Sequence, residues 1–200
     1  MRKAKMARDD PPKTQQRKSL RPLKPLTPDW LGNIARAYLA RHAASRTHFA
    51  AVLGRRIDRA DHRGLVPDRA ALEAKAAALV ESACQQGLID DTALTQSLLG
   101  RYQREGRSTH VIHHKLVQKG IAASLAARAL AGMIADTSAE AHDRQAALRF
   151  AERRRLGPYR LTPARDPDRQ YQRDLGVLAR AGFSHATSVA VLRGTQEDGC

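Results

Sequence analysis

Aromatic residues make up only 4% of this 200-residue chain, with three Phe, four Tyr and one Trp. So few rings leave little for one bulky core, or for a base-stacking platform of the kind single-strand binders use. Cysteine is as scarce: Cys84 sits inside an apolar helical pattern and Cys200 is the last residue. Two such thiols make no disulfide framework and fit a reducing compartment. The longest apolar stretch, IAASLAARALAGMIA (121–135), is interrupted by Arg128 and is too short to span a bilayer. The basic N-terminus lacks the apolar segment of a secretory signal, so the expectation is a cytoplasmic protein. No GxxxxGK[ST] phosphate loop, no GxGxxG after a strand, no HExxH and no CxxC occurs. The chain is therefore expected not to be an enzyme, and to carry no cofactor and no metal.

Acidic residues are also in short supply. Thirty-five Lys and Arg face 20 Asp and Glu, giving a formal charge of +15. Such an imbalance points to a polyanionic partner: nucleic acid, a nucleoprotein or an anionic membrane surface. Residues 1–26 hold nine Lys/Arg against two Asp, a charge of +7, and the remainder carries +8. A basic tail alone does not account for the charge. That tail, with Pro11, Pro12, Pro22 and Pro25 and little apolar periodicity, reads as disordered.

Beyond it nearly everything reads as short helices. Thr27-Pro28-Asp29 supplies a cap, a first-turn proline and an early acid, and Trp30, Ile34 and Tyr38 are expected to line one face. Ser45 opens a helix with Phe49 and Leu53. Asp68 opens another with Leu72, Ala76, Leu79 and Ala83, ending at Gly87. In QQGLIDD (85–91), Gly87 suits a left-handed helix end, Leu88 and Ile89 are expected to pack inward, and Asp90 or Asp91 to cap the next helix. Leu94, Leu98 and Tyr102 then share a face; Ser108 caps a helix with Ile112 and Leu116; Ile121, Leu125, Ala129 and Met133 follow. The last set runs through Ala147, Phe150 and Ala151, then Tyr171, Leu175 and Leu178 to Gly182, then Phe183 to Val189 and Leu192.

The pattern recurs at a fixed interval. Ser45 to Ser108 is 63 residues; Gly120 to Gly182 and Ile121 to Phe183 are each 62. LVQKGI (116–121) matches LARAGF (178–183). Such periodicity predicts stacked supersecondary units. The reading is all-α: three tandem three-helix modules, 27–87, 88–135 and 136–194, in an elongated, curved arrangement, with tails at 1–26 and 195–200. Units of about 50–60 residues are near the lower limit for folding alone, so they are expected to lean on one another.

YLARHAAS (38–45), QQGLIDD, RYQREGRS (101–108), KLVQKGI (115–121) and ARAGFS (179–184), in this order, resemble the RecX regulatory proteins over roughly residues 30–194. The resemblance implies three tandem three-helix modules and a non-enzymatic protein. It also implies binding in the groove of the RecA recombinase filament on DNA, with suppression of ATP hydrolysis, strand exchange and coprotease activity. Two features depart from it. The basic tail lies outside the shared modules. The 156–170 connection is long, and Asp174 stands where the second module has Ile112.

Candidate contacts to the filament or to DNA are Arg101, Arg104 and Arg107; Lys115 and Lys119, four apart; and Arg149, Arg153, Arg154 and Arg155. A charged, extended surface could meet acidic protein loops and phosphates. Any one arginine taken singly more often belongs to a solvated helix face, but solubility alone does not require so large an imbalance in the set. His110 and His114 have the i, i+4 spacing of zinc ligands but lack a third partner in sequence. Cys84 is at core spacing, and capping accounts for Asp90 and Asp91. The competing reading is a general nucleic-acid-binding helical protein without a dedicated protein partner, which predicts a steep salt dependence on naked DNA. Membrane-surface binding would need a basic helix with exposed bulky apolar residues, and the alanine-rich faces argue against it.

Overall fold

The structure, a computed structural model, describes residues 25–163 and 165–194. Among them are nine α-helices, one 3₁₀ turn and no strand. α1 (Pro28–Leu39), α2 (Arg46–Asp61) and α3 (Arg69–Gln85) come first, then α4 (Asp91–Arg104), α5 (Thr109–Gln118) and α6 (Ala123–Met133). α7 (Ala139–Arg154), α8 (Pro167–Arg180) and α9 (His185–Arg193) complete the series, with the 3₁₀ turn Gly157–Tyr159 between α7 and α8. The all-α expectation holds. The tail at 1–24 and the last residues, 195–200, lie outside the described residues.

Local chemistry sets the helix starts. The side-chain oxygens of Thr27, Ser45, Asp68 and Ser108 each accept an amide of the first turn, as the sequence predicts. Ser138, Asp166 and Ser184 do the same for α7, α8 and α9. At α6 no side chain caps the start; there the buried Ile121 anchors the chain as it enters the helix.

Buried apolar residues form three clusters. Leu31, Phe49, Leu53, Ile57 and Leu72 centre the first, Tyr102, Ile112, Leu116 and Ile121 the second, and Phe150, Leu178, Phe183 and Val191 the third. Each large side chain of this kind contributes about 1.5–3 kcal/mol by leaving water.

Several predicted faces shift by one residue. On α1 the buried line runs through Leu31 and Ala35, with Ile34 and Tyr38 partly buried and Trp30 45% exposed. On α4 it runs through Thr95, Leu99 and Tyr102, with Leu94 and Leu98 on its flank. Rows of i, i+4 residues drift about 40° per step around a helix, so the face turned to the core passes from the predicted row to the one beside it. The Thr95 hydroxyl is satisfied within its own helix, donating to the Asp91 carbonyl at 2.6 Å. In the hinge only Ile89 turns inward. Leu88 is 59% exposed and borders an apolar cavity of about 340 Å³ with Leu39, Phe49 and Leu79. The amides of both residues fold back onto the Ala83 carbonyl, at 2.9 and 3.2 Å, and this turn leaves Ile89 alone against the core. Packing also begins before Thr27, since Leu26 is buried and its N–H donates to the Leu65 carbonyl at 2.8 Å.

The periodic residues turn out to touch each other. The buried Ser45 hydroxyl accepts from His48 N–H at 3.1 Å and donates to the Lys119 carbonyl at 2.7 Å, while Gly120 (φ +80°) lies against it. Sixty-three residues on, the buried Ser108 accepts from Val111 N–H at 3.3 Å and lies against Gly182 (φ +86°). Beside each serine the next residue's N–H is taken by an aspartate from the following group of helices. Arg46 N–H donates to Asp91 Oδ1 at 2.9 Å, and Thr109 N–H to Asp143 Oδ1 at 2.7 Å. Asp91 therefore ties two helix groups together rather than merely capping; the cap of α4 is Asp90. At the corresponding place on α8 stands Pro167, which has no N–H to offer.

Candidate functional site

The turn between α4 and α5 gathers four of the nine predicted cations. Glu105 Oε1 accepts from Arg101 Nε at 3.1 Å and Glu105 Oε2 from Arg107 Nε at 3.2 Å. Loss of solvent pushes the Glu105 carboxyl up, but the bonds from Arg107 and Arg101 outweigh it and hold it below the ordinary carboxylate range. From α7, the Arg153 guanidinium donates to the Glu105 carbonyl at 2.7 Å, with Gly106 (φ +66°) leaving room for it. Arg101 and Lys115 both lie over the Tyr102 ring, 5.3 and 5.6 Å from its centre. Their cationic groups are held by a ring whose body is buried, at low entropic cost. The result is a basic knot, one carboxylate among four cations, spanning the second and third groups of helices.

The other five stand apart. Arg104 and Arg149 are exposed, Arg149 reaching only Gln145 on its own helix at 3.3 Å. Arg154 covers the Phe150 ring at 5.6 Å. Lys119 is exposed at the end of α5, where it and Arg55 face His48. Burial first, then these two positive charges, lower the His48 pKa.

Arg155 is the only non-glycine at positive φ among the described residues, with φ 56° and ψ 47° at the end of α7. A left-handed conformation costs an L-residue about 1–2 kcal/mol, part of which glycine gives back through its freer unfolded chain. Arg155→Gly is therefore expected to raise the urea midpoint by the equivalent of about 0.5 kcal/mol. A lower midpoint would mean that the Arg155 side chain itself holds the turn.

A second basic assembly went unread in the sequence. Arg160, Arg165, Arg169 and Arg173, with Thr162, Pro163, Asp166 and Gln170, line a cavity of about 290 Å³ at the start of α8. Arg169 and Arg173 are four apart, a spacing visible in the sequence. What brings Arg160 and Arg165 to them is the folded 155–166 connection, twelve residues where α4–α5 has four. Asp174, 3% exposed, anchors it. Its carboxylate accepts Gly157 N–H at 2.9 Å, Gln170 Nε2 at 2.8 Å and an Arg160 amino group at 3.0 and 2.9 Å. Burial alone would raise the Asp174 pKa; the Gly157, Gln170 and Arg160 bonds overcome that and hold it low. The two departures noted in the sequence, the long connection and the buried Asp174, are thus one feature.

His110 and His114 lie on α5, and no group of three or more His, Cys, Asp or Glu suited to a metal occurs among the described residues. Cys84 is half-buried against the first cluster. No described helix is long and apolar enough to cross a membrane.

No family model matches the chain. It is 38% identical over 189 residues to the regulatory protein RecX of Myxococcus xanthus, covering 93% of this chain and 96% of that one. It is 33% identical over 111 residues to the regulatory protein RecX of Agrobacterium fabrum, covering 55% and 54%. Among solved structures, RecX from Lactobacillus salivarius superposes with a TM-score of 0.54 at 17% identity, over 84% of this chain and 95% of that one. A second regulatory protein RecX gives 0.55 at 22%, over 82% and 70%. These two establish likeness of fold, and the extent of the Myxococcus match establishes the family. The chain belongs to the RecX family of regulatory proteins.

Proposed function

We propose that this protein binds the RecA–DNA filament and inhibits RecA, lowering ATP hydrolysis, strand exchange and coprotease activity. In this reading residues 27–87, 88–135 and 136–194 are three modules, extended by Leu26, that lie along the filament groove. The observation that carries it is the basic knot of Arg101, Arg107, Lys115 and Arg153, built across two groups of helices in a chain of RecX ancestry. Cations fixed on a rigid, multi-group surface can meet acidic loops and phosphates of neighbouring subunits at once, so that weak contacts add. Arg104, Lys119, Arg149, Arg154 and Arg155 are further candidate contacts outside that knot.

RecA ATPase on single-stranded DNA, titrated with the full chain and with a chain beginning at Pro25 so that Leu26 is kept, tests the reading. Both are expected to inhibit well below one regulator per RecA. Arg104→Gln with Arg149→Gln, which removes no long-range contact, is expected to raise the half-inhibitory concentration about tenfold. Inhibition that only follows DNA coating and vanishes at moderate salt would sink the proposal in favour of general nucleic-acid binding.

A further inference from the structure

Several arginines of this protein are neutralised by carboxylates. Arg69 binds Asp58, Asp61 and Glu73 together, Arg46 binds Glu81, and Arg101 and Arg107 share Glu105. The cavity at the start of α8 gathers arginines most of which are not so neutralised. Arg160 there is matched by Asp174, but no ion pair joins Arg165, Arg169 or Arg173 to a carboxylate among the described residues. The one acid in the lining, Asp166, is engaged as the cap of α8, accepting Arg169 N–H at 3.0 Å. Four guanidinium groups and one further carboxylate outside the lining leave the cavity net positive. Like charges four apart on a helix repel, and a concave wall concentrates their field.

We propose that this cavity is a binding site for the phosphodiester backbone of a nucleic-acid strand, seated on Arg165, Arg169 and Arg173. Planar guanidinium forks match the paired oxygens of a phosphate. No aromatic side chain lines the cavity, so it offers charge and hydrogen bonds to a backbone and no stacking surface to a base. The stretch of chain leading into it carries Arg149, Arg153, Arg154 and Arg155 as well. A strand with a charge about every 3.4 Å can fill the cavity and run on past it, which a single small anion cannot. The site goes beyond inhibition of RecA, and its test contains no recombinase, so the two readings stand or fall separately.

The probe is a fluorescein-labelled oligothymidylate, with anisotropy followed across a range of KCl concentrations. Arg165→Gln, Arg169→Gln and Arg173→Gln together are expected to weaken binding about tenfold or more and to flatten the slope of log K against log salt by roughly 2. The charge-matched variant Arg56→Gln, Arg59→Gln and Arg63→Gln should lose far less. Replacing the three cavity arginines by lysine, which keeps every charge and guards against a folding defect, is expected to restore the slope but only part of the affinity. Equal losses in the two glutamine variants would reduce the effect to net charge and overturn the site. So would no loss in the cavity variant, or a loss seen with polyglutamate and not with the oligonucleotide.

Discussion

Gly182→Ala is expected to lower the stability of this protein by about 3 kcal/mol, read as a drop in the denaturant midpoint. Two costs add. At φ +86° an alanine is strained by about 1–2 kcal/mol. Its Cβ would also fall 2.2 Å from Val111 Cγ2 and 2.8 Å from Ser108 Oγ. Overpacking of that kind costs about 1–3 kcal/mol more, because neither neighbour is the free end of a long side chain. Gly64 supplies the control: its φ is +66° but a Cβ there meets nothing within 4 Å, so Gly64→Ala should show the backbone cost alone. Val111→Ala combined with Gly182→Ala should recover part of the clash, giving a coupling of about 1 kcal/mol. Equal losses for Gly64→Ala and Gly182→Ala would show that the serine–glycine contact does not tie the second and third groups of helices. Because inhibition is proposed to use a surface built across those groups, Gly182→Ala should also weaken it before the protein unfolds.

Asp174→Ala carries the second large effect, about 3 kcal/mol at neutral pH. Removing the carboxylate leaves the Gly157 amide, the Gln170 amide and the Arg160 guanidinium without their acceptor in a largely buried place. Breaking a buried pair from one side costs about 3–5 kcal/mol, and the partial exposure of Arg160 puts the expectation at the lower end. The connection it anchors should loosen, so trypsin is expected to cut after Arg160 much faster in the variant. Acid should mimic the substitution. The folded-state pKa of Asp174 is depressed, so its stabilisation is fully present above the unfolded value of about 3.9 and is lost as pH falls through the lower folded value. The stability gap between parent and Asp174→Asn should therefore be constant from pH 7 to about 5 and shrink below 4. A gap unchanged down to pH 3 would mean that the carboxylate charge is not what holds the connection.

Helix identity, caps and ends were legible because they depend on residues three or four apart. Thr27, Ser45, Asp68 and Ser108 cap where a short polar residue precedes an apolar period, and Gly87, Gly120 and Gly182 end helices in the left-handed conformation. The basic surface was legible as composition. Its internal arrangement was not: Arg153 reaches Glu105 across 48 positions, and no local pattern distinguishes it from Arg149, which reaches only Gln145.

The sharpest divide lies in the repeat. Its period could be counted from the chain alone, as could the left-handed glycines and capping serines, since each is a property of one helix end. That Ser45 meets Gly120 and Ser108 meets Gly182, that Asp91 serves Arg46 and Asp143 serves Thr109, was decided by how the helices stack. So was the meeting of Arg160 with Asp174, which folds the long connection over α8 and assembles the four-arginine cavity. Short-range preferences are written in neighbouring residues. A contact between distant segments exists only once packing has brought two buried polar groups to where each must satisfy the other.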